Sequence, residues 1–440
     1  MQTLELNRRA MLGTVAATAF AAATPALARG SRLDFSALQA LIDSYVGNGR
    51  VPGAIVAIVR GGNRFRPLYL TSGRIAFETY MPVLPDTLWR IYSMTKPITG
   101  MAVMQQVALG RLTLDTPISD ILPEFKTMQV LIDPDKSLRS RPADKPILVR
   151  HLLTHTAGLS YTISGNGPLE REYHRLGLLP GVPTAALLPG DGKLPDLQGF
   201  AKALATLPLW QEPGKGWRYS VSLDLAGALL ERLTGKPLDQ VFREQLFAPL
   251  EMHDTSFALN PADTARLSSN YAWVTPDMKP TDKPELVDGP AKSDWSGPPA
   301  MLAGGAGLLS TADNYARFAQ MLLNDGQFEG RTIMPRGTAR LAQSNLMPTG
   351  VFFEGNKGFG AGGSVSLFDT LFGNPGGQPV GVYAWGGAAG TKFFVDPVRN
   401  LGVVVMLQYL PSARFPLNED LALAVNTDMA RQPPWSGGRT

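Results

Sequence analysis

Apolar and polar positions alternate with different periods in different parts of the chain. Residues 33–49, LDFSALQALIDSYVGNG, carry apolar residues at helical spacing and end in glycine, which predicts a helix. GAIVAIVRGG (53–62) and FRPLYLTSGRIAF (65–77) then read as two strands joined at a Gly-Gly-Asn turn, a hairpin. From Thr87 to about Ala303 the pattern is mostly helical. ITGMAVMQQVALG (98–110) is apolar nearly all round and predicts a buried helix. SLDLAGALLERLTG and KPLDQVFREQLFAPL (222–250) predict two amphipathic helices, the first closed by Gly235. STADNYARFAQMLLNDG (310–326) predicts another, with Ser310 as N-cap and Asp313 in its first turn. QPVGVYAWGG, TKFFVDP and LGVVVMLQYL, within 378–410, read as strands, and LNEDLALAVNTDMARQ (417–432) as a closing helix.

Strands therefore gather at both ends of the chain and helices in the middle. The simplest packing pairs the two ends in one antiparallel sheet flanked by helices. This is an α/β fold of the α+β type. Residues 29–85 and 304–440 would form the sheet domain, and 86–303 a mainly helical domain with a cleft at the seam. Two long Gly/Pro-rich stretches, 164–196 and 274–301, interrupt the helical region. Both carry apolar and aromatic residues and are expected to be ordered cleft walls.

Composition narrows this picture. The chain has 440 residues, 44% hydrophobic and 18% charged, an ordinary globular balance. Its 46 glycines and 36 prolines agree with many turns. A net charge of +4 over this length, without a Lys/Arg-rich run, is not a nucleic-acid footprint. There is no cysteine, which excludes disulfides, thiolate nucleophiles and cysteine metal sites. The N-terminus pairs Arg8-Arg9 with a small-residue apolar run and Ala26-Leu27-Ala28. This is the layout of a secretory leader over residues 1–28, of the twin-arginine type. It predicts a periplasmic or secreted protein with no membrane attachment after leader removal. The apolar run from Met11 to Ala23 is short for a membrane span.

Three short motifs carry candidate chemistry. Ser93 and Lys96 in RIYSMTKPITG are the only Ser-x-x-Lys match. At a helix start this spacing puts both side chains on one face, beside free N–H groups and a positive dipole. Serine needs a base to become a nucleophile. Lysine serves as one only when neutral. Lowering its ordinary pKa of ~10.4 to ~7.4 requires roughly 4 kcal/mol, which burial supplies. Ile91, Met94 and Met101 are the apolar neighbours that would do so; the same spacing also occurs on ordinary surface helices. Tyr219, in WRYSVSLDLAG, precedes a helix and can relay a proton, or simply pack. In YAWGGAAGTKFFVDP, Gly386, Gly387 and Gly390 allow close backbone approach, and the Ala388 N–H can face an oxyanion. A plain hairpin turn has the same residues.

The order of Ser93-Met94-Thr95-Lys96, HLLTHTAGLSY, Tyr219-Ser220-Val221, GGAGLLSTADNYARFAQMLL and Trp385-Gly386-Gly387 resembles the serine hydrolases of the class C β-lactamase and penicillin-binding-protein-like family, most nearly its family VIII carboxylesterases. The resemblance spans roughly residues 34 to 430. It implies Ser93 as acylated nucleophile, Lys96 and Tyr219 sharing the general-base role, and an oxyanion hole from the Ser93 and Ala388 N–H groups. It implies no metal and no organic cofactor. Two departures bear on substrate. The lactamases carry Tyr-x-Asn where this chain has Tyr219-Ser220-Val221, and Lys-Thr-Gly where it has Trp385-Gly386-Gly387. Val221, Trp385, Gly386 and Gly387 are thus expected to line a site for neutral, hydrophobic acyl esters of small size. β-Lactamase or D-Ala-D-Ala carboxypeptidase activity, acyl transfer, and a catalytically silent binding protein are the competing readings. The oligomeric state stays open.

Other motifs carry less. GFGAGG (358–363) is followed by no helix pattern, which argues against a dinucleotide site. Gly-x-Ser-x-Gly is absent. His151 and His155 lack the glutamate of a zinc-protease motif and are expected to pack and hydrogen-bond near the site.

Overall fold

The computed structural model describes residues 34–180 and 196–432, except Pro276, Asn356, Phe372, Gly373 and Pro375. The leader expected over 1–28 and part of the first long loop lie outside the described residues. Seven strands form one antiparallel sheet: β1 (Gly53–Arg60), β2 (Leu68–Gly73), β3 (Lys357–Phe359), β4 (Ser364–Ser366), β5 (Tyr383–Gly386), β6 (Lys392–Asp396) and β7 (Leu401–Met406). Their order across the sheet is β3-β4-β5-β6-β7-β1-β2. The two chain ends meet at the β1–β7 pair, with Ile55 opposite Met406 and Val59 opposite Gly402. Both strands are unbroken apolar runs because both faces of the sheet are covered there.

Helix α1 (Ser36–Gly47) and the closing helix α5 (Leu417–Arg431) cover one face. A buried carboxylate helps tie them: Asp428 accepts from the N–H groups of Ala37 and Leu38 at 2.8 and 2.9 Å. Two orphan donors at the α1 N-terminus are thereby satisfied from the far end of the chain. Helix α4 (Ala312–Leu323) covers the other face, against β1, β6 and β7. Its N-cap is Thr311, whose side chain accepts from Asn314 N–H at 3.1 Å, and not the expected Ser310. Ser310 instead belongs to a short strand, Leu309–Ser310, paired with Trp89–Arg90.

Helix α2 (Thr95–Ala108) is buried over most of its length, as its sequence predicts. It packs on α3 (Ser222–Thr234), which ends at Gly235 with φ +69°. One continuous apolar cluster includes Ile55 and Met406 of the sheet, Met101 of α2 and Leu229 of α3.

The helical middle is less uniform than expected. The stretch 236–250 contains a π-helical turn, Arg243–Phe247, between two α segments. The second Gly/Pro-rich stretch contains half of a hairpin, Asn270–Val274 with Pro280–Asp288. The second of these strands is mostly exposed, so it lacks the alternation that would have marked it. Among the described residues no helix is long and apolar enough to cross a membrane.

Candidate active site

The chain enters the site along Trp89–Arg90. The Arg90 guanidinium is fully buried, donates to Ser268 O at 2.6 Å and pairs with the Asp288 carboxylate of the hairpin. Burial pulls its pKa down to about 10. Tyr92 follows with φ +42°, in the left-handed region that costs a bulky residue roughly 1–3 kcal/mol. Its buried ring meets Trp295 edge-on at 5.6 Å, and Asn270 donates to its hydroxyl at 3.1 Å. These contacts hold the bend that delivers Ser93 to the start of α2.

Ser93 lies in a 3-10 turn, Tyr92–Met94, that runs directly into α2. Lys96 follows on the same face. Lys96 is fully buried, as are Ile91, Met94 and Met101, the apolar neighbours its sequence position predicts. Its Nζ donates to Ser93 Oγ at 3.2 Å and to Gly305 O at 2.8 Å. It also lies 4.7 Å from the centroid of the Tyr219 ring.

The Tyr219 hydroxyl is 2.7 Å from Ser93 Oγ. Two side chains, one 3 and the other 126 residues away in sequence, therefore converge on the Ser93 oxygen. Tyr219 is held by its surroundings: Ser164 donates to its carbonyl at 2.8 Å, and its ring packs on His155 (4.9 Å) and Trp385 (5.8 Å). His155 shares a hydrogen bond with Ser220 through Nδ1, at 3.1 Å. Burial and the nearby Lys96 hold the His155 pKa far below the usual imidazole value, so its ring is neutral. His151 Nδ1 accepts from Leu148 N–H at 3.1 Å. Both histidines thus pack and hydrogen-bond as expected.

The end of β5 abuts this turn. A Cβ on Gly387 would come within 2.4 Å of Ile91 O, so only glycine permits the approach. Gly387 N–H donates to Thr391 O at 2.8 Å, and Gly390, at φ +90°, completes the turn. Ala388 lines the same cavity as Ser93, and its N–H donates to no other backbone group among the described residues. The GFGAGG segment forms the close-packed turn between β3 and β4 rather than the start of a helix. There, a Cβ on Gly362 would meet Lys96 O at 2.3 Å.

A cavity of about 880 Å³ opens from Ser93. Tyr219, Trp217, Phe353 and Trp385 give it an aromatic wall. Gly386 and Gly387 line the same cavity beside Trp385. Val221 does not: it is fully buried in the apolar core, at the entrance to α3, and its expected contact with substrate is corrected. Its N–H donates to Ser160 O at 3.1 Å, and it packs inward.

Sequence reasoning missed Asp224 and Gly305. Asp224 is fully buried on α3 and accepts from Gly305 N–H at 2.8 Å. Burial pushes its carboxyl up to about 6, against the opposing pull of Lys96. A lone carboxylate amid the leucines of SLDLAGALL was the available signal. Among the described residues no cluster of His, Asp and Glu suits a metal ion.

Comparison with known proteins identifies the family. A family model described as Beta-lactamase matches residues 38–427. The chain is 36% identical over 403 residues to protein Rv1367c of Mycobacterium tuberculosis, covering 88% of this chain and 92% of that one. It is 33% identical over 383 residues to esterase EstB of Burkholderia gladioli, covering 84% and 88%. Among solved structures, EstCE1, described as a hydrolase with promiscuous acyltransferase activity, superposes with a TM-score of 0.71 at 27% identity, over 88% of this chain and 98% of that one.

Proposed function

The chain belongs to the beta-lactamase family of serine hydrolases, and from that premise we propose that it is a carboxylesterase that hydrolyses small acyl esters through an acyl-enzyme on Ser93. The observation that carries this reading is the convergence of the Tyr219 hydroxyl, at 2.7 Å, and Lys96 Nζ, at 3.2 Å, on Ser93 Oγ. Both lie within the range for proton transfer. Ser93 Oγ attacks the ester carbonyl carbon while its proton passes to the Tyr219/Lys96 pair. The carbonyl oxygen becomes an oxyanion facing the N–H groups of Ser93 and Ala388, with the α2 dipole behind it. The carbon–oxygen bond to the alcohol then breaks, and the alcohol leaves with the shared proton. Water attacks the acyl-enzyme by the same path in reverse and frees the acid.

The aromatic wall at Trp217, Phe353 and Trp385 favours an ester with apolar parts. The similarity to esterase EstB supports the same assignment. In this reading the cleft lies at the seam between the sheet of both chain ends and the helical segment 86–303. The leader pattern over 1–28 supports export, which N-terminal sequencing of the mature protein would test.

Acyl transfer is the second reading. It draws on the likeness to EstCE1 and on a cavity with room for an acceptor alcohol beside the acyl group. A competing alcohol in the assay would yield a new ester.

The deciding experiment compares wild type with Ser93→Ala and Tyr219→Phe on p-nitrophenyl butyrate and a chromogenic cephalosporin. Ester turnover should dominate, fall by about 10³-fold or more in Ser93→Ala and by about 10²–10⁴-fold in Tyr219→Phe. Ester hydrolysis intact in Ser93→Ala would sink the assignment. Faster cephalosporin cleavage than ester cleavage would move the protein to the lactamase side.

A further inference from the structure

The triplet Trp385-Gly386-Gly387 has no cation, and on sequence alone the site is neutral there. The fold supplies one from the neighbouring strand. Lys392 opens β6 and pairs directly across from Gly386 of β5. Facing residues of an antiparallel pair project to the same side of the sheet. The next pair, Trp385 with Phe393, projects to the other side, where Phe393 is buried against Tyr315, Phe318 and Tyr383. Lys392 is therefore kept out of that core.

Its side chain lies along Gly386 instead. A Cβ on Gly386 would come within 2.8 Å of Lys392 Cδ and 2.9 Å of Nζ. The absent side chain of Gly386 is the space that the ammonium group occupies. The cavity reaches both sides of the β5 end: Trp385 lines it from one side and Gly386 and Lys392 from the other, with Ser93 in the same lining. Lys392 is half-buried and makes no hydrogen bond or ion pair with the described residues. Two acids act on it from a distance, Glu419 in the first turn of α5 and Glu354. Glu354 is already paired with Lys357 at 2.9 Å. Burial outweighs both and lowers the Lys392 pKa. An ammonium group has three donors. Removed from much of its water and given no acceptor among the described residues, it is satisfied best by an anionic group on a ligand.

We propose that Lys392, laid over Gly386, forms an anion subsite of the Ser93 cavity and selects ester substrates that carry a carboxylate. This rests on the esterase reading and names its substrate class more narrowly. The aromatic wall would take the apolar part of the ester and Lys392 its charged end.

The test uses three esters: p-nitrophenyl butyrate, which is neutral; mono-p-nitrophenyl glutarate, with the carboxylate on the acyl side; and 4-butyryloxybenzoate, with it on the alcohol side. Wild type, Lys392→Met and Lys392→Arg are compared by the ratio of kcat/KM for each anionic ester to that for the neutral one. In Lys392→Met the ratio should fall about tenfold for one anionic ester, chiefly through KM. Which ester responds identifies the side of the scissile bond that Lys392 serves. Lys392→Arg should keep the ratio within about threefold, and high salt should lower it in wild type. An unchanged ratio in Lys392→Met for both anionic esters overturns the subsite. So does a fall in Lys392→Arg as deep as in Lys392→Met, which would mark a packing role.

If wild type hydrolyses none of the three, the esterase reading fails. The subsite is then decided by calorimetric binding of glutaric acid monoanilide against butyranilide, amides that require no turnover. Binding of the anionic amide about tenfold weaker in Lys392→Met supports it, and equal binding overturns it.

Discussion

Lys96 and Asp224 are joined through one residue, Gly305: Lys96 Nζ donates to its carbonyl at 2.8 Å, and its N–H donates to Asp224 Oδ1 at 2.8 Å. Both side chains are fully buried. A Cβ on Gly305 would lie 2.5 Å from Asp224 Oδ2, so the glycine is what lets the carboxylate come this near. Asp224 Oδ2 has no hydrogen-bond partner among the described residues. The lysine beside the nucleophile is thus held from behind by a backbone carbonyl whose own residue is anchored to a buried acid.

This arrangement makes stability depend on pH. Burial raises the Asp224 carboxyl from 3.8 to about 6 in the folded protein. The folded state then keeps a proton that the unfolded chain has already lost. The resulting stabilisation is full below 3.8 and disappears as pH rises through about 6. A difference of about two pKa units corresponds to roughly 3 kcal/mol. Asp224→Asn cannot titrate. Measured by urea unfolding, its stability relative to wild type should therefore rise by up to ~3 kcal/mol between about pH 4 and pH 7.5. A relative stability that does not move with pH would refute the titration.

Gly387 controls the spacing between the β5 end and the Ser93 turn. In Gly387→Ala the new methyl would overlap Ile91 O at 2.4 Å and Thr391 Oγ1 at 2.3 Å. The strand end must retreat, carrying Ala388 N–H with it. We expect kcat for p-nitrophenyl butyrate to fall about 100-fold, with a stability loss of about 1–3 kcal/mol. Wild-type kcat in this variant would mean that the β5 end takes no part in the reaction.

His151 contributes with the opposite pH sign. Burial lowers its pKa from 6.5 to about 4, and the neutral ring accepts from Leu148 N–H. Its stabilising contribution is full above 6.5 and is lost as pH falls through about 4. The full effect is roughly 3 kcal/mol. His151→Gln removes the titrating ring and keeps an acceptor in reach of the Leu148 N–H. Its urea midpoint should fall less than that of wild type between about pH 6.5 and pH 4. Because this window overlaps that of Asp224, the two slopes partly cancel in wild type, and the single variants separate them.

Much of the fold was legible because burial leaves a local mark. β1 and β7 read as strands since both faces are covered, which makes GAIVAIV, up to Arg60, and LGVVVM continuous apolar runs. α2 read as buried for the same reason. What was missed had no such mark. β3 and β4 are three residues each, too short to display a period. The strand Pro280–Asp288 is mostly exposed and proline-bearing. Ser310 and Thr311 are both hydroxyl residues able to cap a helix, and pairing of Leu309–Ser310 with Trp89–Arg90 shifts the cap by one position.

The sequence by itself determined the spacing of Ser93 and Lys96 and the covering of the sheet by its terminal helices. Helical geometry converts a separation of three residues into a shared face, and continuous apolar runs convert into buried strands, without reference to anything distant. Tertiary structure alone decided that Tyr219 reaches Ser93 across 126 residues and that Gly305 reaches Lys96 across 209. It also turned Val221 into the core and laid Lys392 over Gly386. These relationships come from how strands register and helices pack, and local spacing carries no information about them.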